Sequence, residues 1–166
     1  MVVGNPAPKT SAPEPDLGGL PEWRLEHLYP GMDSPLFAAD LARASDTAKT
    51  FAAARKGRLA DLLGEGGEAL ASAIREYEAL QDLMGRLMSY ASLTYAGNTS
   101  DAARAKFYGD AQERVTEIAG ELLFFELEIN RLDDAALKAA TSDGALAYYR
   151  PWLEDIRKEK PHQLND

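Results

Sequence analysis

The chain has 166 residues, 45% of them hydrophobic and 27% charged, the balance of a single soluble globular domain. A formal net charge of −9 excludes non-specific nucleic-acid binding, because a phosphate backbone would repel it. The absence of cysteine excludes disulfides, thiolate catalysis and Cys-ligated zinc or iron–sulfur sites, and is compatible with a reducing compartment.

Residues 1–19, "MVVGNPAPKTSAPEPDLGG", lack the basic start and apolar run of a signal peptide, and their prolines read as a disordered or extended arm. No apolar run approaches the roughly 20 residues of a membrane span, so the reading is cytoplasmic, without a membrane partner. Residues 20–166 read as one helical domain. In "LPEWRLEHLYPGMDSP", residues 20–35, the prolines disfavour a long helix. Trp23, Leu25, Leu28 and Tyr29 there fit a short segment pinned onto a helical surface.

Ser34 and Pro35 then suit an N-cap and first helical position. Phe37, Leu41, Ala44, Ala48, Phe51, Leu59 and Leu62 recur near the helical period, predicting one long helix with a weak point at Gly57 and an end at "GEGG", residues 64–67. A second long helix starts near Glu68, with Leu70, Ile74, Tyr77, Met84, Met88, Ala91 and Tyr95 on its stripe and Leu80, Leu83 and Leu87 broadening it. "GNTSD", residues 97–101, ends it and offers caps for a third, carrying Phe107, Ala111, Val115, Ile118, Leu122, Phe125 and Ile129. So short a connection predicts an antiparallel hairpin of helices roughly 40 Å long. A short helix capped by Asp133 or Asp134 follows, then a break at 142–144. A last helix contains Tyr148, Tyr149, Trp152, Leu153 and Ile156 and breaks at Pro161. With no alternating strand pattern, the predicted fold is all-α, a long helical hairpin with additional helices and no sheet.

Residues with catalytic chemistry are sparse. His27 and His162 are far apart in sequence and lack a histidine partner at helical spacing, so they read as surface or capping residues rather than a base or ligand. A di-metal bundle needs two Glu-x-x-His motifs; the chain has one, Glu159 to His162, interrupted by Pro161. Glu121 and Glu128 share a helical face while Glu126 lies on another; a solvated edge is favoured over an acid–base pair, with Arg114 or Arg131 as counter-charge should one be buried. Tyr77, Tyr90, Tyr95 and Tyr108 fit core positions or a peptide groove. Asn98 matches a glycosylation sequon that carries no weight without secretion. Phosphate loop, nucleophile elbow and H-E-x-x-H are all absent from the sequence, so no catalytic and no metal-ligating residue is assigned.

Three segments in order, "SYASLTYAGNTSD" (89–101), "LLFFELEINRLDD" (122–134) and "YYRPWLEDIRKEKPHQL" (148–164), resemble the N-terminal helical region of oligoendopeptidase F. This is a zinc metallopeptidase of the thimet-oligopeptidase-like group. "PEWRLEHLYPGMDSP" is similar to a segment near the start of those enzymes. The resemblance implies a non-catalytic domain that helps to wall a channel in which short peptides are cut. The zinc would lie in a catalytic remainder as partner, none of whose residues can be placed here. Asn165 and Asp166 suit the start of a further helix, so a fragment preceding that remainder is expected. The alternative is a stand-alone helical module that interacts or dimerises through the hairpin. Both imply exposed apolar surface on the long helices, open to dye binding or self-association.

Overall fold

A computed structural model of the chain describes residues 23–142 and 144–163; the arm expected at 1–19 and the capping pair Asn165 and Asp166 lie outside the described residues. Among the described residues there are six α-helices, two 3₁₀ segments and no strand, so the fold is all-α.

Helix α1 spans Pro35–Arg55, with the Ser34 hydroxyl accepting the Leu36 N–H at 3.2 Å and proline in the first turn. The apolar period runs on to Leu62, but the helix does not. Lys56 is extended, Gly57 turns at φ +79°, and a separate helix α2 covers Leu59–Glu65. The predicted continuous helix is therefore two. Glycine reaches positive φ without a Cβ penalty, and the Gly57 N–H freed by the break donates to Glu128 Oε1 at 2.7 Å. A Cβ at Gly57 would meet nothing within 4 Å, so the cost of Gly57→Ala is conformational, about 1–2 kcal/mol in a urea titration. A neutral result would remove the break's dependence on glycine.

Gly66, at φ +122°, turns the chain into α3, Gly67–Gly97. Asp101 then caps α4, Ala102–Arg131, accepting from the Ala103 and Arg104 amides at 2.8 and 3.2 Å. Each helix is about 45 Å long at 1.5 Å per residue. Their ring contacts set the register: Tyr95 stacks on Tyr108 at 5.4 Å, Tyr90 meets Phe107 at 5.9 Å, and Tyr77 stacks on Phe125 at 4.6 Å. From Tyr77 to Tyr95 on α3 the partner falls back from Phe125 to Tyr108 on α4, which makes the hairpin antiparallel. Phe37 touches Tyr90 and Phe107, whereas Phe51 touches Tyr77 and Phe125, so α1 runs antiparallel to α3 and parallel to α4. Phe51, Leu80, Met84, Leu87, Ile118, Leu122 and Phe125 fill the space between the three helices.

The segment before α1 is held chiefly by Tyr29, which is 1% exposed. Its hydroxyl donates to Asp40 Oδ2 at 2.8 Å, and the Arg86 guanidinium lies 4.8 Å from the ring centroid while donating to the Leu28 carbonyl. Burial, with the Asp40 bond second, pushes the Tyr29 pKa up to about 12. Trp23 was expected to share the pin and instead is exposed, with Leu25 and Leu28 only half-buried. One buried ring and its ion-paired neighbours suffice to anchor the segment.

Asp133, rather than Asp134, caps α5, Asp134–Ala140, by accepting the Ala136 N–H at 2.8 Å. Gly144 at φ +68° leads to a 3₁₀ turn at Ala145–Ala147, then α6 at Arg150–Ile156 and a 3₁₀ segment at Arg157–His162. Tyr148 and Tyr149 thus precede the last helix instead of lying inside it. The α-helix also ends before Pro161, tightening into 3₁₀ geometry that carries the proline to His162. Proline disfavours α geometry in the residue before it and lacks the amide an α-turn would use.

Candidate functional site

Tyr77 and Gln81 stand one turn apart on α3, so their side chains meet: Gln81 Nε2 donates to the Tyr77 hydroxyl at 2.7 Å. That hydroxyl donates in turn to Glu126 Oε1 on α4 at 2.9 Å. Beside this network, the Tyr149 hydroxyl donates to Glu78 Oε2 at 2.9 Å, tying the turn before α6 to α3. The Trp152 ring lies 6.2 Å from that of Tyr77, and Tyr148 meets Tyr149 edge-on at 5.0 Å. Together they frame a cleft of about 360 Å³. Burial raises the pKa of Tyr77 and Tyr149 above the usual 10, with the bonded carboxylates adding to it, so both hydroxyls stay protonated donors at neutral pH.

Across Trp152 a second cleft, of about 550 Å³, opens between α4 and α6 with its 3₁₀ continuation. Leu123 is 64% exposed on its wall, and Leu127 is exposed beside it. Asn130 is 3% exposed there, and its Oδ1 has no hydrogen-bond partner. A buried carbonyl oxygen of this kind ordinarily finds a donor. Part of the apolar exposure expected on the long helices thus lies at the α4–α6 face, and Leu36 is exposed on α1.

The residues singled out from sequence scatter. His27 is exposed in the segment before α1, and His162 is exposed at the rim of the second cleft. Glu121 is exposed, Glu126 accepts from Tyr77, and Glu128 caps Gly57, so the three carboxylates do not converge. Arg114 pairs with Glu117 at 3.6 Å, and Arg131 is exposed. Tyr77 and Tyr90 are core residues, while Tyr95 and Tyr108 are half-buried near the hairpin turn; the four do not line one groove. Asn98 accepts the Ser100 N–H at 3.1 Å and forms a turn. Glu78, Gln81 and Pro151 went unnoticed in the sequence, although Gln81 one turn after Tyr77 and the density of rings in "YYRPW" were available signals. No group of three or more His, Asp or Glu side chains suited to a metal ion occurs among the described residues, so these residues do not fit a zinc centre. No helix among the described residues is long and apolar enough to cross a membrane.

Residues 128–166 match the family model for the N-terminal region of M3 peptidases, described as oligopeptidase F. The matched stretch runs from the last turn of α4 through α5, α6 and the final 3₁₀ segment. Over that stretch the resemblance read from the sequence is shown. No curated protein and no solved structure matches the chain.

Proposed function

We propose that the chain is the non-catalytic helical N-terminal domain of an oligopeptidase F-like zinc endopeptidase, helping to wall the channel in which short peptides are hydrolysed. The family match over 128–166 carries this reading. The matched stretch closes on itself physically, because Arg157 donates to the carbonyls of Ile129 and Leu132 and pairs with Asp134. On this reading 20–166 is a single domain, zinc and the water it activates belong to a catalytic partner region, and the enzyme works in the cytoplasm. The contribution of these helices is shape: a wall about 45 Å long that limits which peptides reach the metal. The exposed Leu123 and Leu127 beside the unpartnered Asn130 Oδ1 supply a face for the catalytic region to cover.

The test uses a quenched fluorescent peptide and zinc. The 166-residue chain alone should give no hydrolysis above buffer, and adding the H-E-x-x-H-bearing region of the same enzyme should give cleavage confined to short peptides. Zinc-dependent hydrolysis by the chain alone would sink the silent-domain reading. The same exposed leucines also suit a second reading, a homodimer that buries them. Sedimentation of a compact dimer that ignores the catalytic region would favour it.

A further inference from the structure

Four aromatic side chains, Tyr77, Tyr148, Tyr149 and Trp152, line the first cleft, and its volume of about 360 Å³ suits a small organic group. Tyr148 is 77% exposed, a large ring standing in solvent at the mouth. Core packing does not explain a ring left in that position.

The charges that line the cleft or bond to its tyrosines all have one sign. Glu78 lines it, and Glu126 lies behind Tyr77, each accepting a tyrosine hydroxyl. Lysine, arginine and histidine are absent from its described lining. The cation acting on Tyr149 is Arg75, whose guanidinium is paired with Glu68. A phenol that donates to a carboxylate carries more electron density in its ring, and electron-rich rings attract cations electrostatically. The Tyr77 and Tyr149 hydroxyls are not spare donors for an anion, since each is already committed to a carboxylate.

We propose that this cleft is an aromatic cage for an alkylated ammonium group, lined by Tyr77, Tyr148, Tyr149 and Trp152 with Glu78 as counter-charge. The ligand is a cation with an apolar jacket, either a free quaternary amine or the methylated ammonium of a lysine side chain. A neutral molecule of the same shape would lose the attraction to both rings and carboxylate. The inference stands apart from the peptidase reading, because it concerns binding by this chain alone.

The chain has two tryptophans, and Trp23 is 60% exposed, so Trp23→Phe leaves Trp152 as the single fluorescent reporter. Choline added to the Trp23→Phe chain should change Trp152 emission saturably, and calorimetry on the wild type should return the same affinity. The neutral isostere 3,3-dimethyl-1-butanol should bind about tenfold more weakly, and Glu78→Gln should weaken choline by roughly five- to tenfold. A trimethyl-lysine peptide run in parallel separates the sources: tighter binding than choline assigns a protein side chain, weaker binding a free amine. Equal affinity for choline and its neutral isostere, or no saturable response by either method, would overturn the proposal. Circular dichroism of each variant separates a lost cage from a lost fold.

Discussion

Replacing Phe125 with alanine lowers stability toward urea by about 3–5 kcal/mol. Phe125 is fully buried and touches three other rings: Tyr77 at 4.6 Å, Phe51 at 5.2 Å and Phe124 at 6.2 Å. It is where α1, α3 and α4 meet, so truncation removes apolar burial and opens a cavity that three separate helices must collapse to fill. Domains of this size are stable by only about 5–15 kcal/mol, so the variant should sit close to unfolding at modest urea. Leu123→Ala, two residues away on the solvent side of α4, should change stability by less than about 0.5 kcal/mol. Similar losses at both positions would mean that the helix is rotated from its described orientation.

The second large effect is expected at Arg157. Its side chain is 15% exposed, and its guanidinium donates to the Ile129 carbonyl at 2.7 Å and the Leu132 carbonyl at 2.9 Å while pairing with Asp134. The last carbonyls of a helix lack intrahelical donors; here a forked side chain from the final 3₁₀ segment supplies them. Arg157→Met should therefore cost about 3 kcal/mol, the loss of charge-assisted bonds to two carbonyls with only partial recovery by water. Arg157→Lys should recover little of it, because an ammonium cannot span two carbonyls and a carboxylate in the planar geometry of the guanidinium. Amide exchange distinguishes this from global weakening. Amides of α6 and the following 3₁₀ segment should lose protection first, with the three-helix core retained. Uniform loss across α3 and α6 would refute a local anchoring role.

Most of the fold was readable because its signals are local. Ser34, Asp101 and Asp133 are short polar residues directly before apolar-periodic runs, and each does cap the helix that follows. The turn between α3 and α4 is too short for anything but reversal. The misses share a different cause. The break at Gly57 depends on Glu128, 71 residues away, which compensates the freed amide. From the sequence, Gly57 was visible only as a weak point in an unbroken period. Trp23 and Tyr29 carry the same apolar signal, yet only Tyr29 has Asp40 and Arg86 within reach. The cleft was only partly legible for the same reason: Glu78 and Gln81 look like ordinary outward residues of α3 until Tyr149, before α6, and Trp152, within it, are laid beside them.

The parallel run of α1 with α4 has a geometric consequence. Tyr29 and Phe37 sit level with Phe107, near the hairpin turn, whereas Arg157 reaches Ile129 at the opposite pole. The axial rise between those two levels of α4 is roughly 30 Å. The packed helices therefore act as a strut: Tyr29 and Arg157, the anchors of the first and last described segments, are held at opposite ends of α4.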